Sequence, residues 1–137
     1  MSASFDYFDH DADVGVVGRG ATIERAFEAA AAAMFAIMAD PAAVRPIETV
    51  RVEFVETDPE FALVTWLNRL LAEARTRGLA LTRFRLRHEN GRWIGEADGQ
   101  PWHSGIVPGT EVKGATLTGL RVGPVGMNVE ARCVVDV

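Results

Sequence analysis

The sequence predicts an α+β fold in which two helices pack on a mostly antiparallel or mixed β-sheet. Two segments carry apolar residues at helical spacing, and several shorter segments alternate apolar and polar residues as half-buried strands do. The chain has 137 residues, of which 48% are hydrophobic, so it is long and apolar enough to bury one core. We therefore expect residues 1–137 to form a single compact domain.

The N-terminal part is predicted to be a strand followed by a helix. Residues 5–20 resemble an opening strand that ends in a turn at Gly18-Arg19-Gly20. Thr22 is a suitable N-cap for the first helix, and Asp40-Pro41 ends that helix because the residue before proline avoids the helical region. The apolar positions of this helix fall on one face: Ile23, Phe27, Ala30, Met34 and Ile37.

A strand and a second helix follow. Residues 48–56 alternate apolar and polar side chains, as expected for a half-buried strand. Asp58-Pro59 supplies an N-cap and a first-turn proline for the second helix, and Gly78 ends it.

The remainder of the chain is predicted to be sheet. Residues 81–88 and 92–98 form a hairpin around Glu89-Asn90-Gly91. A polar loop covers 99–110, and another strand covers 112–122.

The last strand follows a turn at Gly123-Pro124-Val125-Gly126 and runs to the end of the sequence. It should be central or well covered, because exposed apolar edges invite aggregation. Asp136 lies on the face opposite a fully apolar one, which consists of Met127, Val129, Ala131, Cys133, Val135 and Val137.

Composition excludes several classes of protein. The net charge of -5 and the pI of about 5.2 argue against a domain whose main task is to grip phosphate backbones. Cys133 is the one cysteine, so no intrachain disulfide can form, and a reducing, cytoplasmic setting is expected. No apolar run is long enough for a membrane helix, and the N-terminus lacks the regions of a signal peptide.

Two short acidic patches are candidates for a metal site. One lies within Phe8–Gly15 and contains Asp11 and Asp13; the other is Asp136 beside Val137. If folding brings both patches together, their carboxylates and the Val137 carboxylate or carbonyl would offer oxygen ligands to a hard divalent cation. The alternative interpretation is a solvated acidic turn. An EF-hand is excluded, because the required glycine and glutamate positions hold Val14 and Gly20.

Three further features attract attention. Lys113 is the only lysine among fourteen basic residues, which hints at a need for a compact ammonium, although chance is the alternative. His10 could brace the acidic segment through a hydrogen bond or be merely structural. The arginine-rich face of the 81–88 strand, with Arg92 nearby, could bind an acidic partner or RNA, or be a solvated strand face.

Several motifs resemble the archease family over nearly the whole chain. They are Tyr7–Gly15, Gly20–Glu28, Ala33–Asp40, Trp66–Leu71, Gly109–Lys113 and the final Asp136-Val137. The resemblance implies a non-enzymatic accessory protein of an RtcB-type GTP-dependent RNA ligase that acts in tRNA splicing. It would promote guanylylation of the ligase and restore multiple turnover, and it would meet RNA only through the ligase.

The resemblance also implies roles for individual residues. Asp13 and Asp136 match the family's metal-binding acids, with calcium as the first candidate and magnesium or manganese as alternatives. Lys113 matches the family's functionally required lysine. Asp11 replaces a usual threonine, which adds a negative charge beside the presumed site. Two other functions stay open on sequence alone: a metal-dependent phosphoester hydrolase and a chaperone-like protein-binding module.

Overall fold

The computed structural model describes residues 3–137. These residues form two α-helices, eight β-strands and a short 3-10 helix at Pro41–Ala43. In chain order the elements are β1 (Ser4–His10), β2 (Asp13–Gly20), α1 (Ile23–Met38), β3 (Glu48–Val55), α2 (Pro59–Arg77), β4 (Leu79–Glu89), β5 (Arg92–Pro101), β6 (Gly114–Ala115), β7 (Arg121–Val125) and β8 (Asn128–Asp136).

The strands form two sheets, where the sequence had indicated one. The larger sheet has the order β1-β2-β8-β6, with β7 also paired to β8, and the smaller has the order β3-β5-β4. Within the described residues every strand pair is antiparallel. Each helix contacts strands of both sheets and so joins them in one core. The predicted α+β class is confirmed, and no helix of residues 3–137 has the length and apolarity that crossing a lipid bilayer requires.

The opening segment is a hairpin, so the prediction of one strand over 5–20 was wrong. The chain reverses at Asp11, whose φ of 52° is a conformation that aspartate tolerates. The predicted turn at Gly18–Gly20 lies inside β2 instead. Gly18 is needed there because α1 packs against it so closely that a Cβ would lie 2.1 Å from the Ala26 carbonyl oxygen.

The predicted ends of both helices are confirmed. The Thr22 side chain accepts a hydrogen bond from the Arg25 amide, and the Asp58 side chain accepts from the Glu60 amide. These bonds satisfy amides that a helix N-terminus leaves unpaired. Gly78 ends α2 in the left-handed region at φ 65°, where glycine carries no Cβ penalty.

The predicted strand over 112–122 was also wrong. Only Gly114–Ala115 and Arg121–Val125 are strand, and both pair with β8. The chain between them makes irregular bonds to the same strand: the Thr116 amide donates to the Val134 carbonyl, and the Val134 amide donates to the Thr118 carbonyl. A turn at Gly119, with φ 62°, interrupts the strand, and β7 then continues along β8 in the same direction as β6.

Two further boundaries differ from the sequence-based ones. The smaller sheet keeps β5 paired with β4 as far as Pro101, so the polar loop starts later than residue 99. The turn before β8 lies at Gly126-Met127, because Gly123 to Val125 already pair with β8.

The prediction that the last strand is central is confirmed. In β8, Ala131, Cys133 and Val135 are completely buried between the sheet and the helices. The apolar face does not include Met127, which is 92% exposed in the turn.

Burial should make the Cys133 thiol inert. It raises the pKa of this thiol to about 12, so the reactive thiolate is scarce in the folded protein. We expect the native protein to resist a thiol-reactive disulfide reagent at mildly alkaline pH and the denatured protein to react with one equivalent. Stoichiometric labelling of the folded chain would contradict this prediction.

The outer edge of β4 is partly closed by α1. At Leu86, the amide donates to the Glu28 carboxylate (2.8 Å), and the carbonyl accepts from the Arg25 guanidinium (3.0 Å). Arg25 and Glu28 also form an ion pair. Burial raises the pKa of the Glu28 carboxyl, although the Leu86 amide and Arg25 oppose that shift. Side chains of a helix thus take the place of a neighbouring strand at this residue.

Candidate functional site

The start of β2 and the end of β8 meet at one corner of the larger sheet. These strands are antiparallel, and Val14 pairs with Val135. The Val137 amide donates a hydrogen bond to Asp13 Oδ1 at 3.2 Å. The two acidic patches are therefore adjacent, although 124 residues separate their hydrogen-bonded members in sequence.

Asp13 and Asp136 lie on the same face of this sheet. Directly opposed residues in an antiparallel pair share a face, and each aspartate neighbours a valine on the opposite, core-facing side. Asp13 is half-buried and Asp136 is exposed. Both carboxylates thus belong to the outer surface of the sheet.

The main chain of Lys113 joins the same corner. Its amide donates to the Asp136 carbonyl at 2.8 Å, and Gly114 pairs with Asp136 in the sheet. The Lys113 side chain is exposed. We call Asp13, Lys113, Asp136 and Val137 the terminal corner.

The terminal corner offers the type of ligand atom, oxygen, that a hard cation prefers. Two carboxylates and the main-chain carbonyl of Val137 are oxygen ligands of the type that calcium and magnesium take. In residues 3–137, however, no group of three His, Cys, Asp or Glu side chains is arranged to hold a metal ion. A cation here would need main-chain oxygens, water or groups from another molecule to complete its coordination.

Asp11 and His10 occupy the β1–β2 turn. The Asp11 side chain is 93% exposed, and its carboxylate lies 3.9 Å from His10 Nδ1. His10 pairs with Asp13 across the hairpin, which places it on the face of the terminal corner. The left-handed backbone of Asp11 gives this residue a local structural reason to be aspartate.

Two side chains of α2 contact the Lys113 segment, and the sequence interpretation had missed both. Asn68 accepts from the Ala115 amide (2.8 Å) and donates to the Ala115 carbonyl (3.2 Å). Arg75 Nη2 donates to the carbonyls of Val112 (2.6 Å) and Lys113 (2.7 Å). The sequence offered one signal for these contacts: Asn68 is a poor helix former, yet it lies inside the apolar run of α2.

An apolar cavity of about 350 Å³ lies beside this segment. Its walls come from the C-terminal ends of both helices, the start of β4 and the loop from Trp102 to Val112, and Arg75 and Glu111 are its charged members. Trp102 is 39% exposed. The cavity is large enough for a bulky side chain or a small ligand.

On the arginine-rich face, Arg85 of β4 and Arg92 of β5 pair with acids of their own sheet, whereas Arg83 and Arg87 form no ion pair within residues 3–137. Arg85 contacts Asp98 at 2.7 Å and Glu96 at 3.4 Å, and Arg92 contacts Glu53 at 3.1 Å. These pairs favour the solvated-face interpretation over an RNA-binding surface.

Comparison with known proteins identifies the family. The model of the archease protein family matches residues 5–137. The chain belongs to the archease family. The archease of Thermococcus gammatolerans is 37% identical over 123 residues, covering 86% of this chain and 87% of that protein. The archease of Methanothermobacter thermautotrophicus is 31% identical over 136 residues, covering 96% and 97%.

Solved structures share the fold of this chain. Protein 1598 of Methanobacterium thermoautotrophicum superposes with a TM-score of 0.82 at 29% identity, covering 98% of this chain and 99% of that one. An archease of Thermotoga maritima, described as a possible chaperone, has a TM-score of 0.65 at 19% identity, covering 95% and 94%. The second match supports the archease fold alone.

Proposed function

We propose that this archease-family protein is a non-enzymatic accessory protein that binds a divalent cation and activates an RtcB-type GTP-dependent RNA ligase. It would promote guanylylation of the ligase and multiple turnover in tRNA splicing or RNA repair. The observation that carries the proposal is the terminal corner, where Asp13, Asp136 and the main chain of Lys113 meet. Family membership supports the same role.

The chemistry of the corner supports a cation as cofactor. Asp13, Asp136 and the main-chain carbonyl of Val137 would be its ligands, with Asp11 as a further candidate. Calcium is the first choice because it accepts irregular sets of oxygen ligands, and magnesium or manganese would need stricter geometry. When bound, the cation would supply positive charge for contact with phosphate oxygens. Lys113 would add an ammonium at the same surface.

The incomplete donor set supports an accessory role. Calcium takes about six to eight oxygen ligands, and the two carboxylates of the corner provide fewer. The open positions could accept water, phosphate oxygens or side chains of a partner protein. The negative net charge of -5 is consistent with a protein that contacts the ligase and leaves the RNA to it.

Replacing Asp13 by Asn tests the proposal most directly. Asn keeps an oxygen that can accept from the Val137 amide, so the fold should be retained, whereas the ligand charge is lost. We expect calorimetric titration with calcium, magnesium and manganese to show at least tenfold weaker binding, and ligase guanylylation to fall to the level without this protein. The matched control is Asp9→Asn, an exposed aspartate of the same hairpin.

Unchanged cation binding and unchanged activation by the Asp13→Asn protein would refute the role given to this residue. The alternative enzyme function has its own assay, in which the protein alone is incubated with phosphoesters and each metal. Hydrolysis without ligase would favour a phosphoester hydrolase over an activator.

The apolar cavity favours a second candidate function, a chaperone-like protein-binding module. Its apolar walls could hold a side chain of an unfolded or partner protein. An aggregation assay with a heat-denatured client tests this function. Replacing the exposed cavity residue Trp102 by Asp should reduce any protection, whereas Asp13→Asn should not.

A further inference from the structure

We infer that Asn68 and Arg75 are positioning residues for Lys113, acting together as a clamp that fixes the main chain of residues 112–115. This inference rests on the proposed function, because Lys113 is the group that the clamp would present. Neither α2 residue belongs to the terminal corner itself. Each acts only on main-chain groups of the segment that carries the lysine.

The spacing of the two side chains matches the segment that they hold. Asn68 and Arg75 are seven residues apart, which places them on one face of α2 about 10.5 Å apart along the axis. The bonded carbonyls of Val112 and Ala115 are three residues apart, or about 10 Å in extended chain. A helix can therefore contact this segment at two points without bending it.

The hydrogen bonds around Lys113 are satisfied from two sides. On the sheet side, the Lys113 amide donates to the Asp136 carbonyl. On the helix side, the Lys113 carbonyl accepts from Arg75, and both main-chain groups of Ala115 bond to Asn68. The main chain on each side of Gly114 is thereby fixed, and the lysine side chain alone keeps its freedom.

The short bonds of Arg75 indicate more than a chance surface contact. A charged donor at 2.6 and 2.7 Å from two carbonyls is a strong hydrogen-bonding arrangement. The favourable free energy of these hydrogen bonds is partly offset by the entropy lost when the long, exposed Arg75 side chain is held in one rotamer. A side chain at position 75 that is neutral, or that makes only one hydrogen bond, should hold residues 112–115 less firmly.

The chain immediately before residues 112–115 is anchored independently. The amides of Gly109 and Thr110 donate to the carbonyls of Met38 and Ile37 at the end of α1. Loss of the clamp should therefore loosen residues 112–115 without releasing the whole loop. This local effect is what the test measures.

The test compares Arg75→Met with Arg77→Met, the same substitution two residues away on α2. Arg77 contacts Thr49 and Glu48, on the side of β3. Each protein is titrated into the ligase with GTP, and the guanylylation rate is fitted for its maximum and for the half-saturating concentration. Amide hydrogen exchange at Lys113 and Ala115 is followed by NMR, and thermal unfolding verifies the fold.

For Arg75→Met we expect a maximal rate at least tenfold lower, a half-saturating concentration changed less than threefold, and faster exchange at Lys113. Arg75→Lys should recover part of both effects, and Arg77→Met should behave like the unmodified protein. Asn68→Ala should accelerate exchange at Ala115. If Arg75→Met fails to fold, Arg75→Lys is judged by the same measurements.

Failure of the clamp can be distinguished from failure of the proposed function. If Lys113→Ala abolishes activation while Arg75→Met retains the full rate and normal exchange, the clamp is wrong and the function stands. If the unmodified protein does not activate the ligase, the function is wrong. In that case exchange alone decides whether the clamp exists, and equal rates at Lys113 in the two methionine variants would overturn it.

Discussion

Replacing Gly18 by Ala is expected to destabilise the protein by at least about 3 kcal/mol, because overpacking against a rigid backbone cannot be relieved locally. The added Cβ would lie 2.1 Å from the Ala26 carbonyl oxygen and 2.3 Å from the Ala30 nitrogen. Both atoms belong to the main chain of α1, so the whole helix must move away from β2. Urea denaturation followed by circular dichroism measures the loss.

Gly123→Ala is the matched control for that prediction. Gly123 is also a strand glycine paired with β8, but nothing lies within 4 Å of a Cβ added there. We expect its free energy of unfolding to change by less than about 0.5 kcal/mol, as for most unconstrained surface substitutions. Equal stability of the two variants would show that α1 does not rest on Gly18.

The second large effect is expected at Asp98, which is only 8% exposed. Its carboxylate accepts from Arg85 at 2.7 and 3.0 Å and from the Thr49 hydroxyl at 2.7 Å. Asp98→Ala should cost about 2 kcal/mol at neutral pH, because three hydrogen bonds to a buried carboxylate are lost, two of them from a charged donor. The Arg85 side chain is 49% exposed, so water can solvate the guanidinium that remains. Asp9→Ala, at an exposed position, should change stability little.

The contribution of Asp98 should also depend on pH. The Arg85 guanidinium, and secondarily the Thr49 hydroxyl, hold the pKa of the Asp98 carboxyl below its usual value, against the opposing effect of burial. A depressed folded-state pKa gives stability that is present above the unfolded pKa, about 4, and is lost as pH falls through the folded pKa. The stability difference between the unmodified protein and Asp98→Asn should therefore shrink in acid.

Urea unfolding of both proteins from neutral to acidic pH measures that difference. Comparing the two chains cancels the titration of the other carboxylates. A difference that stays constant down to the most acidic pH at which both chains fold would argue against a charge-assisted pair at Asp98.

The helices were predictable because their signals are local. The N-cap at Thr22, the Asp58-Pro59 pair and the C-terminal Gly78 each act within a few residues, and all three lie where the sequence predicted. The burial of β8 was predictable for a similar reason, since alternation within one segment fixes its buried face.

The misassigned elements depend on contacts between distant segments. Gly18 indicates a turn when read locally, but its reason for being glycine is α1 packed above it. The strand expected over 112–122 is interrupted because Val134 of β8 bonds to two different residues. Its carbonyl accepts from the Thr116 amide, and its amide donates to the Thr118 carbonyl. Hydrophobic alternation does not encode such bonds.

The candidate site was predictable in part for the same reason. Apolar strands that begin after Asp13 and end at Asp136 could be expected to meet if they paired, and they do. The contacts of Asn68 and Arg75 could not be expected, because both bond to main-chain atoms that any residue type would offer. Cation binding and ligase activation stay predictions.

The pairing of Leu86 with Arg25 and Glu28 has a consequence for behaviour in a crowded cell. A bare sheet rim can recruit the same rim of another molecule and seed polymers. Here a strand from another molecule would first have to displace the side chains of Arg25 and Glu28 from the main chain of Leu86. Helix α1 therefore protects the edge of β4 from intermolecular strand pairing at Leu86, in addition to filling the core.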